Sequence, residues 1–259
     1  MDESFWILQS DKVLAALNEG KRLDGRNFDE YRKVEVKKNI SLNAEGSARV
    51  KLGGTEVVAG IKLGIGEPYP DLPDAGGLST GVELLPAAAP EFEAGPPGEE
   101  SIEIARVVDR AIRESKSIDL KSLCIREGEL CYIVFLDFYV VNHDGNLFDA
   151  CAIAGLASLL DCKVPKVEDD KIVPKEYVGK LKIQKKPMLC SFAKIKNHIV
   201  LDPGLEEDMV LDARFHCGVT EDDLLVAFQK GGNGSFKEKE INDAIDIALR
   251  ESKKIRKLL

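Results

Sequence analysis

Three arginines, Arg106, Arg110 and Arg113, follow one another at spacings of four and three residues. At about 100° per residue on a helix they share a narrow arc, with Ile104, Val108 and Ile112 on the opposite side. Guanidinium groups are planar, permanently charged donors that match phosphate oxygens, so a row rising one turn at a time can follow a nucleic-acid backbone. Glu103, Asp109 and Glu114 also lie at helical spacing from these arginines, and a salt-bridged exposed helix is the competing reading. A second candidate group is the carboxylate series Asp202, Glu206, Glu207, Asp208 and Asp212. Such a series suits either a magnesium site or general acid, or polar turns that keep the surface soluble. Gly231-Gly232-Asn233-Gly234 opens onto a helix but lacks the lysine of a P-loop, so a hairpin-to-helix turn is the simpler reading.

Other chemistries find no support. The chain has no HExxH or P-loop pattern, its six cysteines include no CxxC pair, and His143, His198 and His216 form no HxxxH set. No metal and no cofactor is expected. Cys131 and Cys151 sit in apolar runs, where a free thiol behaves as a small buried hydrophobe.

The elements that must position these residues alternate between strands and helices. An amphipathic helix with Ser4 as cap and Ile7, Leu8, Leu14 and Leu17 as its apolar side is expected over 4–20, ended by Gly20. Alternation over 47–52, the Gly53-Gly54 turn and the apolar run 55–63 predict a hairpin. Proline and glycine dominate 64–98, interrupted by a short strand at 81–85. The arginine helix spans 101–115, a buried strand 131–141, and a helix 148–160 after the Asp144-Gly145 turn. This last helix is almost wholly small or apolar, so it has to pack on both sides. After a charged stretch at 163–186 come strands at 188–195, 198–201, 209–219 and 224–229. Ser235-Phe236-Lys237-Glu238 reads as a capping box for a closing helix along Ile241, Ala244, Ile245, Ala248, Ser252 and Ile255. Strands followed by helix occur twice, which predicts an α+β protein of two similar units, 1–180 and 181–259.

With 259 residues, 36 basic against 45 acidic, and a net charge of -9, bulk positive charge cannot be what draws the chain to a polyanion. Any such site must be local or shared. The apolar runs are too short to span a bilayer, and the acidic start Met1-Asp2-Glu3-Ser4 lacks the charge of a secretory signal. The expected compartment is the cytoplasm, with cysteines kept as thiols.

Several segments, in order, resemble the RNase PH family: Leu23-Asp24-Gly25-Arg26, Tyr31-Arg32-Lys33-Val34-Glu35, the 46–57 hairpin, Pro90-Glu91-Phe92, the arginine helix, Asp144-Gly145-Asn146-Leu147-Phe148-Asp149-Ala150, and Leu201-Asp202-Pro203 with Glu206-Glu207. Within that family the chain is most similar to the non-catalytic RNase PH-like ring subunits of the archaeal RNA exosome. The resemblance implies a duplicated RNase PH-like α+β fold, with a first unit like domain 2 of ribosomal protein S5 and a smaller second unit. It implies a six-membered ring, a trimer of heterodimers with a catalytic RNase PH-like subunit, together with RNA and RNA-binding cap proteins as partners and no membrane. The sibling would degrade RNA from its 3′ end by phosphorolysis, and Arg106, Arg110 and Arg113 would line the RNA path. Active members hold phosphate with a glycine, a hydroxyl residue and an arginine before the central helix. Here those hydroxyl and arginine positions read Leu147 and Phe148, followed by Asp149. They also carry two aspartates six residues apart, and here Asp208 is followed by Arg214, with Asp212 displaced by two. No catalytic residue is expected, so the chain should be inactive by itself. An active phosphorolytic exoribonuclease and a ring adaptor without RNA contact remain the alternatives.

Overall fold

Which residues become strands is decided mainly by which faces are covered. The computed structural model describes residues 3–259, with side chains from residue 9 onward. Helix α1 (Glu3–Asn18) leads in. It is followed by β1 (Val34–Lys38), β2 (Gly46–Leu52), β3 (Thr55–Gly66) and β4 (Gly77–Leu84). Next come α2 (Glu99–Glu114), a 3-10 turn at Leu120–Leu123, β5 (Cys124–Arg126) and β6 (Leu130–Asn142). These strands form one six-stranded sheet in the order β1-β2-β3-β6-β4, with β5 paired to β6. The β2–β3 hairpin pairs Leu52 with Thr55 across Gly53-Gly54, and Gly53 adopts the positive φ of 59° that the tight turn requires. Strand β4 runs parallel to β6, and the chain between them carries α2.

Helix α3 (Leu147–Asp161) is buried at every position from Leu147 to Leu159. It packs on β1, β2, β3 and β6 on one side and on β9 (Met188–Ile195) of a second sheet on the other. Its small residues make this possible: a Cβ on Gly155 would stand 2.9 Å from the Phe138 ring. Between the two sheets in chain order lies the hairpin β7 (Lys163–Glu168) and β8 (Lys171–Lys180). The second sheet has the order β10-β9-β11-β12, with β10 at His198–Leu201, β11 at Ala213–Val219 and β12 at Leu225–Gly232. Short helix α4 (Leu205–Val210) precedes β11, and α5 (Glu238–Arg256) closes the chain. Along β9 the pleat sends Cys190 and Phe192 into a core with Ala244 and Ala248 of α5, while Leu189 joins the core around α3.

Four expectations need correction. Residues 209–219 are not one strand: Met209 and Val210 end α4, which starts where Glu207 accepts the Gly204 amide at 2.8 Å, and β11 begins at Ala213. The charged stretch 163–186 contains the β7–β8 hairpin, turned by Asp169 and Asp170, both at positive φ. The capping box lies two residues later, where Glu240 accepts the Lys237 amide at 2.7 Å, and α5 starts at Glu238. The short strand at 81–85 is the end of the longer β4. On α1, Val13 and Leu17 are the buried residues whose packing is described, and Gly20 ends the turn at φ 74°. The side chains of Ser4, Ile7 and Leu8 and the Met1-Asp2 start lie outside the described residues. No described helix is long and apolar enough to cross a membrane.

Candidate nucleic-acid interface

Helix α2 presses Ile104, Val108 and Ile112 into the core and turns its arginines outward. Arg106, Arg110 and Arg113 line one cleft of about 270 Å³ with Thr80, Ala105, Asp109 and Glu114. The three are not equivalent. Arg113 is bidentate to Asp109, at 3.0 and 2.9 Å, and also donates to the Leu78 carbonyl. That hydrogen-bonded carboxylate raises the Arg113 pKa further. Arg110 donates to the Phe228 carbonyl and to Gln229, both at 3.2 Å, bracing α2 against β12. Arg106 is exposed and has no charged partner among the described residues. Glu103, expected at the arginine row, reaches instead to Arg214 on β11, while Glu114 is exposed and makes no ion pair among the described residues.

The turn into α3 is held by the second half of the chain. Gly145 has φ 84°, and a Cβ there would meet the backbone of Pro203 and Gly204 at 2.6 Å. Asn146, left-handed at φ 49°, accepts the Asp149 amide at 3.3 Å and donates to Asp202 at 2.7 Å. Asp202 is completely buried and also takes hydrogen bonds from Arg26 (3.0 Å) and Arg32 (2.8 Å). Arg22 and Glu207, both buried, pair with Nε to Oε1 at 2.8 Å. Asp212 pairs with Lys196 at 3.0 Å. Thus most of the carboxylate series is consumed in internal ion pairs. Among the described residues no group of three or more His, Cys, Asp or Glu is arranged to hold a metal ion.

Asp149 faces inward. Its carboxylate accepts from Tyr31 Oη (2.7 Å), Asn146 Nδ2 (3.0 Å), Ser191 N (3.0 Å) and Ser191 Oγ (2.6 Å). Burial nevertheless pushes its pKa up to about 6, against those hydrogen bonds. Because the Ser191 hydroxyl proton is committed to Asp149, His216 Nδ1, 2.7 Å from Ser191 Oγ, is the donor of that pair. Burial, aided by Arg214, drives the His216 pKa down to about 3.

Beside this network the fold brings together two sites far apart in sequence. Leu147 and Phe148 share a cavity of about 160 Å³ with Asp208 and Arg214, together with Glu91, Glu100, His143, Leu205 and Met209. Arg214 is paired with Glu103 and lies 5.4 Å over the Phe148 ring, which stacks on His216 with centroids 4.0 Å apart. Burial raises the pKa of Asp208, and burial followed by the Asp208 charge raises that of Glu100. Burial lowers that of His143. Four apolar side chains and three carboxylates offer a phosphate dianion desolvation and repulsion. The sequence marked Leu147, Phe148, Asp208 and Arg214 but gave Glu91, Glu100 and His143 no chemical role. The Asp149-Ser191-His216 network left no local pattern to find.

A sheet-helix-sheet core with one fully buried helix, an apolar turn leading into it and an arginine cleft alongside define a mixed α+β protein. Comparison with known proteins places it further. Residues 30–165 match the 3′ exoribonuclease family, domain 1, and residues 186–251 match domain 2 of the same family. The chain belongs to this family, the RNase PH family. It is 47% identical, over 97% of its length and 94% of the relative's, to exosome complex component Rrp42 of Thermococcus gammatolerans. It is 46% identical to that of Methanopyrus kandleri, over 96% and 95%. A chain of the Archaeoglobus fulgidus exosome with RNA bound to the active site superposes with a TM-score of 0.93 at 43% identity, covering 98% of this chain and 99% of that one. For a chain of an archaeal exosome core the TM-score is 0.86 at 40% identity, over 97% and 96%.

Proposed function

We propose that this chain is the non-catalytic, RNA-binding member of an exosome core ring in the cytoplasm. It alternates with a catalytic RNase PH-like sibling in a trimer of heterodimers, carries RNA-binding cap proteins, and guides RNA toward the sibling's phosphorolytic sites. One contrast supports this reading. Where active relatives hold phosphate, the turn offers Leu147 and Phe148, buried and facing carboxylates, whereas the α2 cleft offers three guanidiniums. The arginines contact phosphates rather than bases, which makes binding sequence-tolerant and salt-sensitive. The two units divide between residues 180 and 181, a reading supported by the end of β8 at Lys180 and the start of β9 at Met188.

The test combines the pure chain with the assembled ring. The chain alone releases no nucleoside diphosphates from RNA at any phosphate concentration; their appearance would make it an exoribonuclease in its own right. In the ring, changing Arg106, Arg110 and Arg113 together to alanine leaves assembly intact. It weakens RNA binding by roughly 1–3 kcal/mol for each charge-assisted hydrogen bond removed and flattens the salt dependence. A variant ring that binds and degrades RNA like the wild type across a salt series would reduce the chain to an adaptor.

A further inference from the structure

The side chains at the α3 turn leave a cavity of about 160 Å³ between them. Among the described residues four buried side-chain polar atoms lack a hydrogen-bond partner, and three of them gather here. His143 Nδ1 and Arg214 Nε belong to residues that line the cavity, and His216 Nε2 belongs to the ring stacked against Phe148. Buried groups are almost always satisfied, so unpaired nitrogens around a cavity mark a place where something else supplies the partner. The remaining lining narrows what that is. Glu91, Glu100 and Asp208 call for hydrogen-bond donors, and Arg214 Nε–H calls for an acceptor. Leu147, Phe148, Leu205 and Met209 supply apolar wall. A bare cation would leave the Arg214 donor and the apolar wall unanswered, and a phosphate would meet the carboxylates. The volume of about 160 Å³ is below the roughly 300–1,000 Å³ of sites for drug-sized ligands, so one ring system fits.

We propose that this cavity is a nucleobase site that takes guanine, free of phosphate contacts, with its adjacent N1–H and N2–H donors on the carboxylates and its O6 on Arg214. Adenine lacks the adjacent pair of donors, uracil flanks its one imide N–H with two acceptors, and cytosine sets a lone pair beside its amine. Flat bases extruded from a single strand are read in this manner, by ring packing together with hydrogen bonds to one edge. The proposal deepens the RNA-binding reading: the α2 arginines would hold the backbone without regard to sequence, and this site would add a preference for one base.

The experiment uses the full chain with labelled imidazoles, observed by NMR. Guanosine shifts the His143 signals, leaves those of His198, which bonds to Asn18 outside the cavity, unmoved, and adenosine shifts neither. Inosine, which lacks the 2-amino group, binds at least threefold more weakly. Asp208→Asn weakens guanosine at least tenfold. Because Asp208 also accepts the Asn146 amide, Glu100→Gln at the rim serves as a second variant, with a loss of about threefold. An oligouridine carrying a single guanosine gives the same His143 shift if RNA is the source of the base, whereas a response to free guanosine alone assigns the site to the nucleoside. Silence of His143 up to about 1 mM guanosine, an equal response to adenosine, or unchanged binding by both variants overturns the proposal. Binding of plain oligouridine, read by anisotropy and abolished in the triple arginine variant, tests the RNA-binding reading separately. Retained oligouridine binding with a silent His143 therefore rejects this site alone.

Discussion

The α2 cleft and the α3 turn carry similar charged groups and use them differently. In the cleft the guanidiniums stand on an outward helix face, and their partners sit on the same helix or a neighbouring strand. At the turn the charged groups are buried and pair with opposite charges from the other half of the chain, such as Arg32 with Asp202 and Arg22 with Glu207. The first arrangement leaves charge available to a ligand and contributes little to folding. The second commits its charge to locking the two sheets around α3.

The comparison breaks most visibly at Glu207. Glu207→Ala leaves the Arg22 guanidinium buried without its carboxylate, and urea unfolding should show a loss of about 3–5 kcal/mol. If the loss is below about 1 kcal/mol, the turn is no more interlocked than the cleft. The next effect is pH-dependent. His216 has a folded pKa of about 3 against 6.5 when free, so the unfolded chain takes up the proton first and stability falls as pH drops from 6.5 toward 3. Between pH 7 and pH 4 the wild type should lose about 3 kcal/mol more than His216→Gln. Asp149, with its raised pKa near 6, acts with the opposite sign and loses stability as pH rises, but it is present in both proteins. A smaller effect is expected in the cleft. The triple arginine variant should change folding stability by less than about 1 kcal/mol in thermal melts, even while RNA binding collapses. Smallest is Asp109→Asn, which frees Arg113 and should tighten RNA binding about threefold at low salt, as read by anisotropy. Unchanged or weaker binding would show that Asp109 orients Arg113 rather than restraining it.

What the sequence made legible follows the same division. The α2 arginine face could be read because it depends on one period within sixteen residues, and α3 because uniform small and apolar composition has one explanation. The β7–β8 hairpin escaped because most of β8 faces solvent on both sides and Asp169-Asp170 replaces the usual Asn-Gly turn. The end of α4, Met209 and Val210, was read as strand because six residues hold too little periodicity to mark a helix. At the turn, Leu147, Phe148 and Asp208 were marked through family resemblance. The partners that give them meaning, from Tyr31 to His216, are joined by pairings across the whole chain that no window can see.

Helix α3 also sets a problem of timing. It leaves the ribosome before β9, yet one of its faces is covered by that strand of the second sheet. At roughly 5–20 residues per second, completing β9 takes a few seconds after α3 has been made. For that interval the nascent chain displays an apolar surface with no mate, so a ribosome stalled between the two elements would present chaperones with a client, while the finished chain would offer them nothing at that surface.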